Sequence, residues 1–268
     1  MKKLVWIFII ALALCLVFAS ATAEKVLVDN NKVCIIVKSM ETSKDRFEMK
    51  VYLENKTNVT AMFSINDTVI NGYVADPFWA TSIAPGKKKN DTITVYSLSD
   101  KGITDVVSEI KFVMRVYDSN DWSAPDILKE KFALYPIGKK KATIVEREAQ
   151  PKDLVIVNNS KVSIVVTGFG EDSIWGYTAH LYIINKTKKS LMFSTDDVSV
   201  NGYMIDPFWA KELPPKSRCY TDMNWSSSKF EENDIKKVKD IEITFRVYDS
   251  NDWSAPDVFK KALTIRPW

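Results

Sequence analysis

Apolar and polar side chains alternate with a period of two along most of this chain. Between Ile110 and Tyr117, the residues Ile110, Phe112, Met114 and Val116 share one face, and Ile241, Ile243, Phe245 and Val247 repeat the arrangement later. Period two is the signature of a strand with one buried face. An earlier segment sets Phe47, Met49, Val51 and Leu53 inward, matched by Tyr177, Ala179, Leu181 and Ile183. Ile93 and Val95 are matched by Met223 and Trp225, with Cys219 on the same face, and the last strands end on Phe132-x-Leu134 and Leu263-x-Ile265. Turn signals separate these runs: Asn71-Gly72, Asn201-Gly202, Pro85-Gly86, Pro214-Pro215 and Asp118-Ser119-Asn120-Asp121. Asp100–Val107 and Glu232–Val238 each have room for a single helical turn, and no amphipathic run is long enough for a major helix.

The pattern occurs twice because the sequence does. Asn71–Ala80 reads NGYVADPFWA and Asn201–Ala210 reads NGYMIDPFWA, while Arg115–Asp126 and Arg246–Asp257 are both RVYDSNDWSAPD. The spacing of about 130 residues predicts two like units, each large enough for its own core. Short strands spaced by turns predict an all-β protein: two tandem immunoglobulin-like antiparallel β-sandwich domains behind a signal peptide, with a barrel as the alternative. The expected division is a signal peptide at 1–23, a first repeat at 24–137, a linker at 138–152 and a second repeat at 153–268. Ala142-Thr143-Ile144-Val145 within the linker is a candidate strand.

The N-terminus sets the expected compartment. Lys2 and Lys3 precede the apolar run Leu4–Phe18, and Ala21-x-Ala23 has the small-x-small form of a cleavage site before Glu24. Export to the cell envelope or beyond follows. Membrane association would come only from an uncleaved anchor, for which the run is short. Lipidation at Cys15 is disfavoured by Leu14 before it.

Without the two signal lysines, basic and acidic residues nearly balance, 35 against 34. That argues against a nucleic-acid partner. Lys87-Lys88-Lys89 and Lys139-Lys140-Lys141 read as solvated charge in turns or linker. Cys34 and Cys219 lie in different repeats at unmatched positions, so no disulfide is expected within a unit, and Cys34 reads as a small buried apolar residue. With His180 the only histidine, no metal or other cofactor is expected.

The two motifs, NGY-x-x-DPFWA followed some forty residues later by RVYDSNDW, resemble a repeat of secreted or surface-anchored proteins of Gram-positive bacteria. The resemblance covers both units and implies an immunoglobulin-like fold. It supplies no active site. An origin of that kind also makes the seven Asn-x-Ser/Thr triplets, at Asn55, Asn58, Asn66, Asn90, Asn158, Asn185 and Asn224, a matter of composition and not of glycosylation.

The motifs nominate the candidate site. Asn71-Gly72 suits a positive-φ hairpin turn, and Asp76 before Pro77 is pushed towards an extended conformation. Tyr73, Trp79, Tyr203 and Trp209 then either plug one end of each sandwich or form a platform for a sugar ring or protein partner. In the second motif Asp118, Asn120 and Asp121 are Asx-turn formers. A calcium loop fits poorly, because Trp122 and Ser123 stand where the fifth and sixth residues should be an acceptor and a glycine. Trp122 and Trp253 are anchors or lids, and Arg115 is expected to pair with Asp118 or Asp121.

Enzymatic readings fare badly. A Ser-His-Asp set would need His180, which reads as outward-facing on a strand. A carboxylate pair for glycoside cleavage would need a cleft that a small sandwich lacks. The sequence therefore predicts a non-catalytic extracellular protein that binds a glycan or protein partner through Tyr73, Trp79, Trp122, Tyr203, Trp209 and Trp253. The alternative is a spacer or envelope component with no ligand, and a protease-inhibitor-like module is a distant third.

Overall fold

The computed structural model describes residues 24–103, 106–172 and 174–268. The signal-peptide reading falls on residues outside this range. Among the described residues the chain is all-β apart from short helical turns, and strand pairing within each repeat is antiparallel.

In the first repeat, β1 (Lys25–Asp29), β2 (Val33–Ser43) and β3 (Arg46–Asn55) precede β4 (Ala61–Ile70), β5 (Tyr73–Val74) and β6 (Ala80–Ile83). They are followed by β7 (Lys88–Tyr96), β8 (Ile110–Asp118) and β9 (Leu128–Leu134). One sheet runs β1-β2-β3-β7, and the other is built on β4, which pairs with β5, β6 and β8, with β9 beyond β8. The second repeat supplies β10 (Leu154–Asn158), β11 (Val162–Asp172), β12 (Gly176–Asn185), β13 (Leu191–Val200), β14 (Tyr203–Met204) and β15 (Lys211–Leu213). After β16 (Arg218–Trp225) come the helical turn α1 (Ser227–Glu232), β17 (Ile241–Asp249) and β18 (Phe259–Ile265). The layout is the same: β10-β11-β12-β16 faces a sheet built on β13.

The period-two faces become the two interiors of a sandwich. Phe47, Met49, Val51 and Leu53 from one sheet and Phe63, Ile110, Phe112 and Met114 from the other belong to one buried cluster. Leu181, Ile183, Trp225, Phe193, Ile243 and Phe245 belong to a second. Each fully buried Leu, Ile or Phe contributes about 1.5–3 kcal/mol. Even the irregularities are duplicated. A bulge interrupts β4–β8 around Asp67 (φ 51°) and β13–β17 around Asp197 (φ 50°).

Buried polar groups are also matched. The Asn55 amide donates to the Val59 and Ile83 carbonyls, and its oxygen accepts from the Thr57 N–H and hydroxyl. Asn185 does the same with Lys189, Leu213, Pro214 and Thr187. These two Asn-Lys-Thr triplets pin loops from the inside, and both amides are buried.

Four local expectations are corrected. The segment around Ala142–Val145 forms no strand; a 3-10 turn covers Lys139–Lys141 and the chain then runs irregularly along the joint between repeats. The helix of the second repeat lies at Ser227–Glu232, ahead of the expected span, because Phe230 anchors it against Tyr177. In the first repeat Leu98–Gly102 is a turn without helix. Finally, Asp76 is left-handed (φ 39°). Its corner is tied by the Ala75 N–H to Thr68 and by Lys211, which reaches it from the second repeat at 3.1 Å.

The two repeats meet through the first NGY motif. Asn71 (φ 50°) and Gly72 (φ 85°) turn β4 into β5, which lies parallel to β16. The Gly72 carbonyl accepts from the Arg218 N–H at 2.9 Å. A sheet of the first repeat thus continues into a sheet of the second, in the order β9-β8-β4-β5-β16-β12-β11-β10.

Candidate functional site

The six nominated aromatics separate into three environments. Tyr73 is 3% exposed. Its ring is stacked on Tyr220 and tilted against Tyr182, its hydroxyl donates to the Val145 carbonyl, and Arg218 lies 5.8 Å from its ring centre. It belongs to the joint between repeats and presents no face to solvent. Burial, above all, pushes its hydroxyl pKa up. Its counterpart Tyr203 is 50% exposed, because nothing pairs with β14 on its outer side among the described residues.

Trp79 and Trp209 are half-buried and pack against the two cores. Trp209 stands edge-on to Phe245, and its Nε1 donates to Thr221 Oγ1 at 3.2 Å. These two positions act as plugs. The exposed ring of the DPFW segment is Phe78, or Phe208 in the second copy.

Trp122 and Trp253 are 71% and 74% exposed. Each is held by the same small construction. Trp122 tilts against Tyr117 with ring centres 5.1 Å apart, and the Arg115 guanidinium lies 4.4 Å from the Tyr117 ring centre. Arg115 Nε is bound to Asp126 Oδ1 at 2.8 Å. In the second repeat Trp253, Tyr248, Arg246 and Asp257 repeat it, at 5.3, 4.7 and 2.9 Å. The arginine's partner is thus the last residue of the motif and not, as the sequence suggested, Asp118 or Asp121. Those acids are engaged in the turn. Asp118 accepts the Asn120 N–H, and Asp121 accepts both the N–H and the hydroxyl of Ser123. The Ser123 bonds hold the Asp121 carboxyl below its ordinary range.

The two motif copies also converge. Arg115 of the first and Asn251 of the second line one groove of about 500 Å³, with Asp67, Lys129, Lys131 and Glu212. The groove is polar and carries both signs of charge. Burial first, and then the neighbouring negative charge of Glu212, push the Asp67 carboxyl above its usual value. Sequence reasoning missed this groove. Its one signal was the strict identity of the twelve-residue motif, which covers Arg115 and Asp126 as well as the tryptophan.

Elsewhere the chemistry is quiet. His180 is exposed on β12, with Nδ1 2.8 Å from Asp222 Oδ1. Cys34 and Cys219 are free and buried. Among the described residues no group of three or more His, Cys, Asp or Glu side chains is placed to hold a metal ion. No helix among them is long and apolar enough to cross a membrane.

No family model matches the chain, and no curated protein matches it. Among solved structures, a crystal structure of the YadV chaperone is similar at 14% identity, over 82% of this chain and 91% of that one, with a TM-score of 0.23. That likeness is too slight to argue from.

Proposed function

We propose that this chain is a secreted or cell-surface, non-catalytic binding protein of two β-sandwich repeats that holds an extracellular glycan. The observation that carries the reading is the pair of exposed tryptophans, each braced by the same Tyr–Arg–Asp construction, together with a groove that Arg115 of the first motif copy and Asn251 of the second both line. A large apolar ring left in water costs solvation and is ordinarily turned inward. A Trp braced from behind offers a rigid face at little entropic cost, suited to the C–H face of a sugar ring. The groove supplies donors and acceptors for hydroxyls: Arg115, Lys129, Lys131, Asn251 and Glu212. A protein partner is accommodated by the same chemistry. Two platforms on one chain raise avidity when both engage at once.

The spacer reading draws support from a separate observation: the joint is built of buried Tyr73, Tyr182 and Arg218, as a stiff connection would be. The two readings are separated by a glycan and envelope-polymer binding screen of wild type against Trp122→Ala plus Trp253→Ala. A saccharide bound by wild type and lost by the double variant supports the binding reading. Binding that survives the double change removes these residues from the role, and no binding to any polymer favours the spacer.

A further inference from the structure

One surface is left over when the internal joint is counted through the repeat. The joint uses β5 of the first repeat and β16 of the second. Their counterparts, β14 of the second repeat and β7 of the first, are both edge strands with no partner on the outer side among the described residues. Register fixes the equivalence. Arg218 and Tyr220 pair with Ile184 and Tyr182, as Lys88 and Asn90 pair with Glu54 and Tyr52. We propose that the β14 edge of one copy docks on the β7 edge of a second copy, repeating between chains the joint that β5 and β16 make within one.

The donor end carries the features that β5 uses. Asn201 (φ 52°) and Gly202 (φ 85°) make the same turn as Asn71 and Gly72, and Tyr203 and Met204 stand in the places of Tyr73 and Val74. In the first repeat those two positions are buried by the joint; in the second they are 50% and 72% exposed. A Cβ on Gly72 would meet Ile144 at 3.2 Å, whereas one on Gly202 would meet nothing within 4 Å. The motif is therefore preformed, apolar and uncovered, as an unused docking element should be.

The acceptor end keeps most of what β16 offers. Lys88 supplies a cation in place of Arg218, Tyr52 an aromatic ring in place of Tyr182, and Ile36 an aliphatic side chain in place of Val165. Charge is matched as well. Within the chain Lys211 reaches Asp76. The counterpart of Asp76 is Asp206. The counterpart of Lys211 is Thr81, and Lys89 Nζ sits 2.5 Å from its hydroxyl. Lys89, which also pairs with Asp91 at 2.9 Å, thus brings an ammonium to the place that Lys211 occupies in the internal joint, and Asp206 would have to share it with Asp91.

Two elements are missing. Asn90 replaces Tyr220, so the stacked ring that completes the internal joint has no equivalent between chains, and the segment ahead of β10, whose Ile144, Val145 and Glu146 meet Gly72, Tyr73 and Arg218, has no counterpart among the described residues ahead of β1. The internal joint is also tethered, with an effective concentration of roughly millimolar order, and separate chains have no such help. The association is accordingly weak and concentration-dependent. Because donor and acceptor are different patches, it is heterologous and grows into open strings instead of closing as a dimer.

Sedimentation velocity on residues 24–268, which contain every described element, tests this over about 10 µM to 1 mM. Wild type should shift to larger species with concentration. Tyr203→Asp and Lys88→Glu should each be monomeric alone, yet form a one-to-one dimer when mixed, since each retains the end that the other has lost. Asn90→Tyr should restore the stack and strengthen association several-fold. Circular dichroism checks that each exposed-site variant is folded. A wild type that stays monomeric throughout, a closed dimer that survives both single changes, or a mixture that fails to pair would each overturn the proposal.

Discussion

Tyr73 of the first repeat lies flat against Tyr220 of the second, ring centres 6.3 Å apart and planes within 7°. Gly102 approaches so closely that a Cβ there would sit 2.6 Å from the Tyr220 ring. The NGY hairpin is in this copy a joint, and the same hairpin in the second repeat, at Asn201–Tyr203, leaves its outer edge unpaired among the described residues.

Removing that contact should loosen the repeats from each other. Tyr73→Ala loses a buried ring and leaves a cavity, at a cost of about 3 kcal/mol. Urea unfolding followed by tryptophan fluorescence should then split into two transitions. Combined with Tyr220→Ala, the double-mutant cycle should return a coupling of about 1 kcal/mol. Additive effects would mean that the stack contributes nothing beyond burial.

The four motif tryptophans should divide cleanly. Trp122→Ala and Trp253→Ala should each change stability by under about 1 kcal/mol, as exposed-site changes do. Trp79→Ala and Trp209→Ala, which remove plugs from the cores, should cost about 3 kcal/mol or more. Acrylamide quenching should fall markedly in the first pair of variants and little in the second.

The bracing of Trp122 should depend on Arg115. Arg115→Lys keeps the charge but loses the planar group lying over Tyr117 and the Nε bond to Asp126. Saccharide affinity should drop several-fold with global stability nearly unchanged. An unaltered affinity would show that the arginine is only a surface ion.

Acid should weaken the segment that leads into the second repeat. Arg147 grips Asp153 with two bonds of 2.6 and 2.7 Å, and that hydrogen bonding holds the Asp153 carboxyl below its ordinary 3.8 against the opposing effect of burial. A group with a depressed folded pKa adds stability that is complete above the unfolded value and disappears as pH falls through the folded one. Asp153→Asn should therefore destabilise the protein at pH 7, and the deficit should shrink steadily below about pH 4. A pH-independent deficit would assign the effect to packing.

Both thiols should be inert in the native protein. Burial pushes Cys219 up to about 12 and also raises Cys34. An aromatic disulfide reagent at pH 8 should titrate no thiol until denaturant is added, and then two per chain of residues 24–268. Fast reaction of either in the native state would mean that its sheet opens locally.

The sequence by itself determined the strands, their inward faces and the duplication, because period-two alternation and turn chemistry are local properties. Phe47 through Leu53 and Ile110 through Val116 fall inward as the alternation required. Local pattern also set the Asx turns at Asp118 and Asp121. Only the tertiary structure decided the fates of identical side chains. Tyr73 and Tyr203 occupy the same place in the same motif, yet one is sealed and the other open, since what covers Tyr73 is a strand nearly 150 residues further along the chain. Likewise Arg115 found Asp126 rather than a nearer acid, and Asn251 joined it across one groove, because β8, β9 and the second repeat's turn meet in space and not in sequence. Burial is a property of the assembled surface, and a residue's own neighbours along the chain carry no record of it.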